Sequence, residues 1–323
     1  MSVPAAGRTV FILGATGFLG THLGDAFAAA GWRVLRGSTT ASGPGSVRLD
    51  LTADDGALAA ALADGTPDVV VNASGRVWRM TDQQMLQANA AVLDHVIAAL
   101  RETRPGARLV QLGSIHEYGP GTPGTATRED QPPVPVTPYG RSKLGGSLRV
   151  LEAAGHGLDG VVLRLANVCG PGTRPGSLLG AVSEHLAGVA RDGRSGDAAL
   201  RLPPLRAQRD FVDVRDVTDA VLATADAPAG VVTGQIINIG SGRARPVREI
   251  VDRMVALSGL DVSVEETEPT GGPSARVDVE WQLLDINRAG RLLGWRPRRG
   301  LDESLRDQLA AALAMARAAT EGD

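Results

Sequence analysis

The sequence predicts an α/β protein with a doubly wound parallel sheet and a smaller mixed α/β lobe towards the C-terminus. Three observations carry this. Short apolar runs of strand length alternate with helical patterns from Thr9 to Ala166. The first run feeds a glycine turn, Gly14 to Gly20 (GATGFLG), that opens into a helix. From Asn167 onward the alternation becomes irregular, as a second, smaller lobe requires.

Thr9 to Leu13 (TVFIL) reads as a buried strand and the alanine-rich Phe18 to Ala30 as a helix. In the turn between them the glycines have separate tasks. Gly14 allows the bend, Gly17 lets backbone approach a pyrophosphate, and Gly20 lets the helix pack close to the strand. The helix start then offers free N–H groups and a positive dipole end to phosphates. Glycine trios arise by chance in a chain with 41 glycines, but strand, turn and helix together favour dinucleotide binding over an ordinary turn. The expected contacts are Gly14, Thr16, Gly17, Phe18, Leu19 and Gly20.

Arg33 to Leu35, Ser46 to Leu49, Asp68 to Ala73 and Arg108 to Leu112 predict the next four strands. Helical patterns at Asp54 to Ala63 and from about Thr81 to Arg101 separate the later ones. Residues 119 to 138 form a proline and glycine loop without periodicity, and a loop of that length inside a compact domain is usually a lid or wall. Tyr139 to Ala154 resumes a helix and Val161 to Ala166 a sixth strand. Helices are expected at Ser177 to Ala190 and Asp216 to Ala225, with a polar and proline loop at 192 to 204. Gln235 to Ile239 reads as a seventh strand returning to the sheet. Helical patterns at Val247 to Leu257, Asn287 to Leu293 and Asp302 to Ala319 complete the smaller lobe. The expected division is residues 1–166 with about 210–240 as the dinucleotide-binding domain, and 167–209 with 241–323 as a substrate-binding lobe. In open α/β sheets the site lies beyond the carboxyl ends of the strands, which places Gly14, Ala73, Ser114 and Asn167 along one edge.

Composition narrows the function. A net charge of −3 and the lack of basic clusters interleaved with aromatics argue against nucleic acid as a partner. No apolar run is long enough to span a bilayer and the N-terminus does not read as a signal peptide, so no membrane partner and a cytoplasmic location are expected. The single cysteine, Cys169, excludes an intrachain disulfide and a cysteine-based zinc site, so no metal is expected. Of the 33 Lys and Arg residues only Lys143 is lysine, which marks a place where a planar guanidinium cannot substitute for a compact ammonium.

Lys143 follows Tyr139 by four residues at the start of a helix (YGRSK), so both side chains share one face. A phenol titrates near pH 10, and a neighbouring cation is expected to move it towards neutrality and make it a usable acid. Ser114, ending the fifth strand, would supply a hydroxyl to orient a substrate oxygen. From Gly31 to Gly45 the chain holds no acid to meet ribose hydroxyls; Ser38 lies where that acid is expected, with Arg33 and Arg36 nearby. A 2′-phosphate would meet no repulsion there, which predicts NADP(H) over NAD, with Arg36 and Ser38 as contacts.

GATGFLG, SIHEYG (114–119), YGRSK, LRLANVCGPG (163–172), RDFVDVRDV (209–217), NIGSG (238–242) and DINRAGRLLGWRP (285–297) occur in this order. In that order they resemble the extended short-chain dehydrogenases/reductases, the NAD-dependent epimerase/dehydratase family, which act mostly on nucleotide sugars. The resemblance covers nearly the whole chain and implies a Rossmann-type fold. It implies that Tyr139 is the acid/base, that Lys143 binds the nicotinamide ribose and tunes Tyr139, and that Ser114 completes the triad. It also implies Asp50 and Leu51 near adenine, Ala73 and Ser74 along the dinucleotide, and Asn89 near the cofactor or its bound water. Asn167 and Arg209 would face the sugar nucleotide, with Ser114, Ile115 and His116 beside them. An arginine suits a diphosphate because it is a bidentate cation.

Departures from the family pattern refine the expectation. Dehydratases carry Asp-Glu after the catalytic hydroxyl residue, whereas this chain has Ile115 and His116. Glu117 is one position late, and on a strand-like segment that offset reverses the side chain. His116 is a second proton donor, a substrate hydrogen bond, or a neutral loop histidine with no chemical role. Cys169 replaces the family's usual tyrosine and reads as packing. The SIHEYG segment looks most like the 4-ketoreductases of deoxysugar formation for bacterial natural products. The expected reaction is NADPH-dependent reduction of a TDP-4-keto-6-deoxyhexose. A nucleotide-sugar 4-epimerase that retains NAD, a carbonyl reductase of non-nucleotide substrates and a cofactor-sensing regulatory protein are the alternatives. A homodimer through the helices carrying Asn89 and Tyr139 is expected from the same resemblance.

Overall fold

The structure is a computed structural model and describes residues 7–40, 42–52, 56–75, 82–193, 196, 198–268 and 279–321. It opens with strand β1 (Thr9–Leu13), helix α1 (Phe18–Ala29), β2 (Arg33–Ser38), β3 (Ser46–Arg48), α2 (Ala57–Gly65), β4 (Val69–Asn72), α3 (Asp82–Thr103) and β5 (Arg108–Ser114). Then come α4 (Pro138–Gly155), β6 (Gly160–Leu165), β7 (Asn167–Cys169), α5 (Leu178–Asp192), β8 (Ala198–Leu202), β9 (Gln208–Asp213), α6 (Val214–Asp226), α7 (Ala229–Val232) and β10 (Ile236–Ile239). The chain closes with β11 (Ala244–Pro246), α8 (Val247–Ser258), β12 (Val262–Glu266), β13 (Trp281–Gln282), α9 (Asn287–Leu293) and α10 (Leu301–Glu321).

Seven strands form one sheet in the order β10-β6-β5-β4-β1-β2-β3. Every pairing within it is parallel. All residues of β1, β4, β5 and β6 are buried, because helices cover both faces and every side chain meets a core. One core holds Leu23 and Phe27 of α1 with Val217 and Val221 of α6. The other holds Leu62 of α2, Val96 of α3 and Val150 of α4. The sheet reverses direction between β1 and β4, the place where open α/β sheets leave a crevice.

The second lobe has its own core, with Val182 and Leu186 of α5, Val251 and Met254 of α8, and Leu305 of α10. In its small sheet β9 pairs with β11 on one edge, and with β13 and β7 in succession on the other. The chain thus enters the lobe at β7, and α6 returns it to the main sheet by packing on α1. The loop expected over 192–204 contains β8, which pairs in parallel with β12. Ala198, Leu200 and Leu202 point inward while Arg201 is exposed, and so short an alternation is hidden among the polar and proline residues that flank it.

The segment after Ser114, expected as strand-like, is a single 3-10 turn over Ile115–Glu117. Ser114 begins it: its hydroxyl accepts from the His116 N–H at 3.2 Å and the Glu117 carboxylate accepts from the Ser114 N–H at 2.8 Å. This reciprocal cap winds the chain where a strand would have continued. Helix α4 starts where Thr137 accepts the Gly140 N–H at 3.0 Å and Pro138 supplies the first helical φ, which sets Tyr139 in its first turn.

Candidate active site

The glycine turn brings two loops together. Gly14 sits at φ 81°, and a Cβ there would lie 2.8 Å from the Ser74 Cα, so the loop after β4 leans directly on the turn after β1. A Cβ on Gly20 would meet the Gly14 carbonyl and, at 2.7 Å, the Ala15 Cα. Helix α1 has no side-chain cap at Gly17 and no acid in its first turn, which leaves its N–H groups and positive end open. These residues fit an anionic dinucleotide: backbone can approach closely and nothing repels a pyrophosphate.

Around the turn, Ala73 donates its N–H to the Leu13 carbonyl at 3.0 Å, and the Ser74 hydroxyl bonds the Asn72 amide oxygen at 2.5 Å. Ser38, at the end of β2, is buried, with its hydroxyl accepting from the Thr40 N–H at 3.2 Å. The Thr16 and Thr40 hydroxyls stand 3.4 Å apart. Arg36 is half-buried beside Gly24 of α1, 3.9 Å from Asp25. Asp50 accepts from the Thr52 N–H and hydroxyl at 3.0 and 2.6 Å, and Leu51 packs on the α2–α3 side of the sheet. Leu19 packs against the opposite core, and the Phe18 ring stands edge-on to His22. Asn89 of α3 donates to the Ser142 hydroxyl at 3.0 Å, which donates to the Tyr139 carbonyl at 2.9 Å, tying α3 to the first turn of α4.

Ser114, Tyr139 and Lys143 meet beyond the end of β5. The Ser114 hydroxyl lies within reach of the Tyr139 phenol, and Lys143 lies one helical turn further along α4, buried. A polar recess joins Lys143 to Asn72, Ser74, Asn89, Gln111 and Ser142. The expected lowering of the Tyr139 pKa by Lys143 is corrected here. Burial of the phenol pushes it up and the Glu117 carboxylate adds to this, while the Ser114 hydrogen bond opposes without reversing it. Lys143 is itself pushed down by burial, with Glu117 opposing. The phenol is therefore neutral and carries a proton that it can give up.

Glu117 is turned away from the cleft by its place in the 3-10 turn. Fully buried, it ion-pairs with Arg164 at 2.7 Å, and Arg164 lies over the Tyr118 ring at 4.3 Å. Tyr118 donates to the Asn238 amide oxygen at 2.8 Å. Ile115, expected at the substrate, also turns inward and packs in the sheet core, because alternate residues of so tight a turn cannot all face the cleft.

A second cluster forms around Gln282 of β13. Its amide oxygen accepts from Arg209 and, at 3.3 Å, from Asn167, while its amide nitrogen lies 3.5 Å from His116 Nδ1. Three expected substrate residues from distant parts of the chain thus converge on one buried amide. The His116 ring stands edge-on to Tyr139 with centroids 5.7 Å apart. Burial, reinforced by Arg209, lowers the His116 pKa to about 4, so the ring is neutral at physiological pH. With Nδ1 facing the Gln282 amide, Nε2 carries the N–H, so the neutral ring can donate a hydrogen bond from Nε2. Gln282 escaped sequence reasoning because nothing in WQLL marks a functional glutamine. Cys169 is buried, its thiol pushed up to about 12 by burial, which leaves it inert packing.

A parallel sheet with an open glycine turn at its switch point, and a serine, tyrosine and lysine beside it, defines an NAD(P)-dependent oxidoreductase. A family model, NAD dependent epimerase/dehydratase family, matches residues 10–240. The chain belongs to that family and is a nucleotide-sugar-modifying enzyme. It is 41% identical over 315 residues, 95% of this chain and 96% of the relative, to a dTDP-6-deoxy-L-talose 4-dehydrogenase (NAD(P)(+)) from Kitasatospora kifunensis. It is 29% identical over 317 residues, 91% and 95% of the two chains, to a UDP-glucose 4-epimerase from Mycolicibacterium smegmatis. The fold matches that of RMD from Pseudomonas aeruginosa complexed with NADPH, with a TM-score of 0.81, 22% identity, and 95% and 99% of the two chains covered.

Proposed function

We propose that this enzyme reduces the C4 ketone of a TDP-4-keto-6-deoxyhexose with NADPH. The observation that carries the reading is the pairing of a neutral Tyr139 phenol with Ser114 in a segment whose one carboxylate, Glu117, is committed to Arg164. Such a site can protonate a carbonyl oxygen, while the acid–base pair needed to eliminate water is missing from it. The 41% identical relative, a 4-dehydrogenase of a dTDP-6-deoxy sugar, supports both the substrate class and the position on the ring.

The bound nicotinamide supplies the hydride, and the chain's own residues do the rest. Ser114 orients the ketone oxygen and Tyr139 gives it a proton, while Lys143, one helical turn along, holds the nicotinamide ribose. Arg209 and Asn167 hold the diphosphate side, and His116 offers Nε2–H to a sugar oxygen. The acid-free stretch after β2 supports NADPH over NADH. The family resemblance is what supports a homodimer through α3 and α4.

The test is incubation with NADPH and a TDP-4-keto-6-deoxyhexose. Stoichiometric loss of the reduced-nicotinamide absorbance is expected; no loss across several 4-keto sugars would sink the reading. The second reading, a 4-epimerase, is favoured by the 29% identical relative and predicts turnover with no net loss of absorbance.

A further inference from the structure

Arg174 lies in the loop between β7 and α5, in the second lobe, yet its guanidinium reaches the glycine turn and donates to the Thr16 carbonyl at 2.9 Å. The side chain is exposed, and among the described residues no carboxylate pairs with it. A guanidinium has five N–H donors, and this carbonyl uses one. The remaining donors and the full positive charge stand beside the open start of α1, which has neither a side-chain cap nor an acid. Two positive features thus converge on one mouth, and the first turn of α1 holds no acid.

The backbone of Arg174 is fixed. Its carbonyl accepts from the Ser177 N–H and hydroxyl, each at 3.1 Å, and Ser177 also caps α5 through the Gly180 N–H at 3.1 Å. Gly180 makes this possible, since a Cβ there would collide with the Arg174 carbonyl. The same loop is pinned to α1 a second time, by the His22 ring against the Pro171 carbonyl at 2.8 Å. A cation so anchored gives up little freedom on binding an anion.

We propose that Arg174 is a cofactor clamp, a cation from the substrate lobe that binds the pyrophosphate of the dinucleotide seated on the glycine turn. This rests on the glycine turn being the dinucleotide site. Loading the cofactor would then add a phosphate contact to a loop that Arg174 and His22 already hold against the glycine turn and α1.

The test is equilibrium binding of NADPH and of NADH to the whole enzyme, read by reduced-nicotinamide fluorescence, for wild type, Arg174→Gln and Arg174→Lys. Both variants shorten the reach to the Thr16 carbonyl, but lysine keeps the charge that glutamine removes, so the difference between them reads the charge; matching unfolding midpoints check that the fold is kept. Both cofactors carry the pyrophosphate. Arg174→Gln is therefore expected to weaken both by the same factor, about tenfold or more as for a hydrogen bond to a charged group, with partial recovery in Arg174→Lys. Unchanged affinity for both overturns the clamp while the dinucleotide site stands. A loss confined to NADPH overturns it by assigning Arg174 to the 2′-phosphate. Wild-type protein that binds neither cofactor overturns the dinucleotide site itself, and the clamp with it.

Discussion

Glu117 accepts the backbone N–H of Ser114 at 2.8 Å with one carboxylate oxygen and the Arg164 guanidinium at 2.7 Å with the other, entirely inside the protein. The serine proposed to orient substrate is therefore held from behind by a buried ion pair, with Arg164 on β6 stacked on Tyr118. Removing one partner of such a pair leaves an uncompensated charge. Glu117→Gln is expected to cost about 3–5 kcal/mol of stability, measured by urea unfolding. A loss below about 1 kcal/mol, the range of surface pairs, would mean that the pair is not desolvated as the structure describes.

Tyr139 donates the proton in the proposed reduction, and its raised pKa keeps it protonated. Tyr139→Phe removes that proton and the hydrogen bond to Ser114 while leaving the glycine turn untouched. Turnover is expected to fall about 10²–10⁴-fold with cofactor affinity unchanged. If turnover survives, another group supplies the proton; His116 is the neighbour to examine.

His116 sets a pH signature. Its folded-state pKa of about 4 lies below the model-peptide value of 6.5, so the unfolded chain takes up this proton first as pH falls. The stabilisation is complete above pH 6.5 and is lost between 6.5 and 4, a loss on the order of 3 kcal/mol. The buried Asp210, whose pKa is raised, titrates as well, so the measurement is the difference between wild type and His116→Gln unfolded by urea across this range. A difference that stays flat with pH would show the ring to be solvated.

Much of this was legible from sequence because parallel strands covered on both faces must be apolar throughout. Val10 to Leu13 and Val69 to Val71 announce themselves in this way, and Tyr139 and Lys143 fall on one face by helical spacing alone. What escaped depends on contacts between distant residues. Gln282 and His116 are 166 positions apart and meet only because β13 pairs with β9. Glu117 turns inward because Ser114 caps a 3-10 turn, a choice decided by two hydrogen bonds rather than by hydrophobic pattern. The Tyr139 pKa moved opposite to expectation because local spacing records the cation and not the burial.

Gln282 also carries a consequence for substrate binding. It holds Arg209 and Asn167 together, so Arg209→Ala is expected to raise KM for a nucleotide-diphosphate sugar about 10-fold or more, with kcat changed less. Gln282→Ala should do the same more weakly by releasing Arg209. An unchanged KM in Arg209→Ala would favour a substrate that lacks the diphosphate.

The proposed preference for NADPH rests on the lack of an acid in the sequence after β2. Ser38 ends that strand, buried, with its hydroxyl on the Thr40 N–H, at the place where an acid would meet the ribose hydroxyls. Ser38→Asp puts a carboxylate there, which repels a 2′-phosphate and accepts hydrogen bonds from a free ribose. The ratio of kcat/KM for NADPH over NADH is expected to exceed one in the wild type and to fall about tenfold or more in the variant, the size of one charge-assisted contact. Two measurements decide it. A wild-type preference for NADH defeats the assignment outright. An unchanged ratio in Ser38→Asp shows instead that the phosphate state is read elsewhere, for which Arg36, now turned towards Asp25 on α1, is the residue to substitute next.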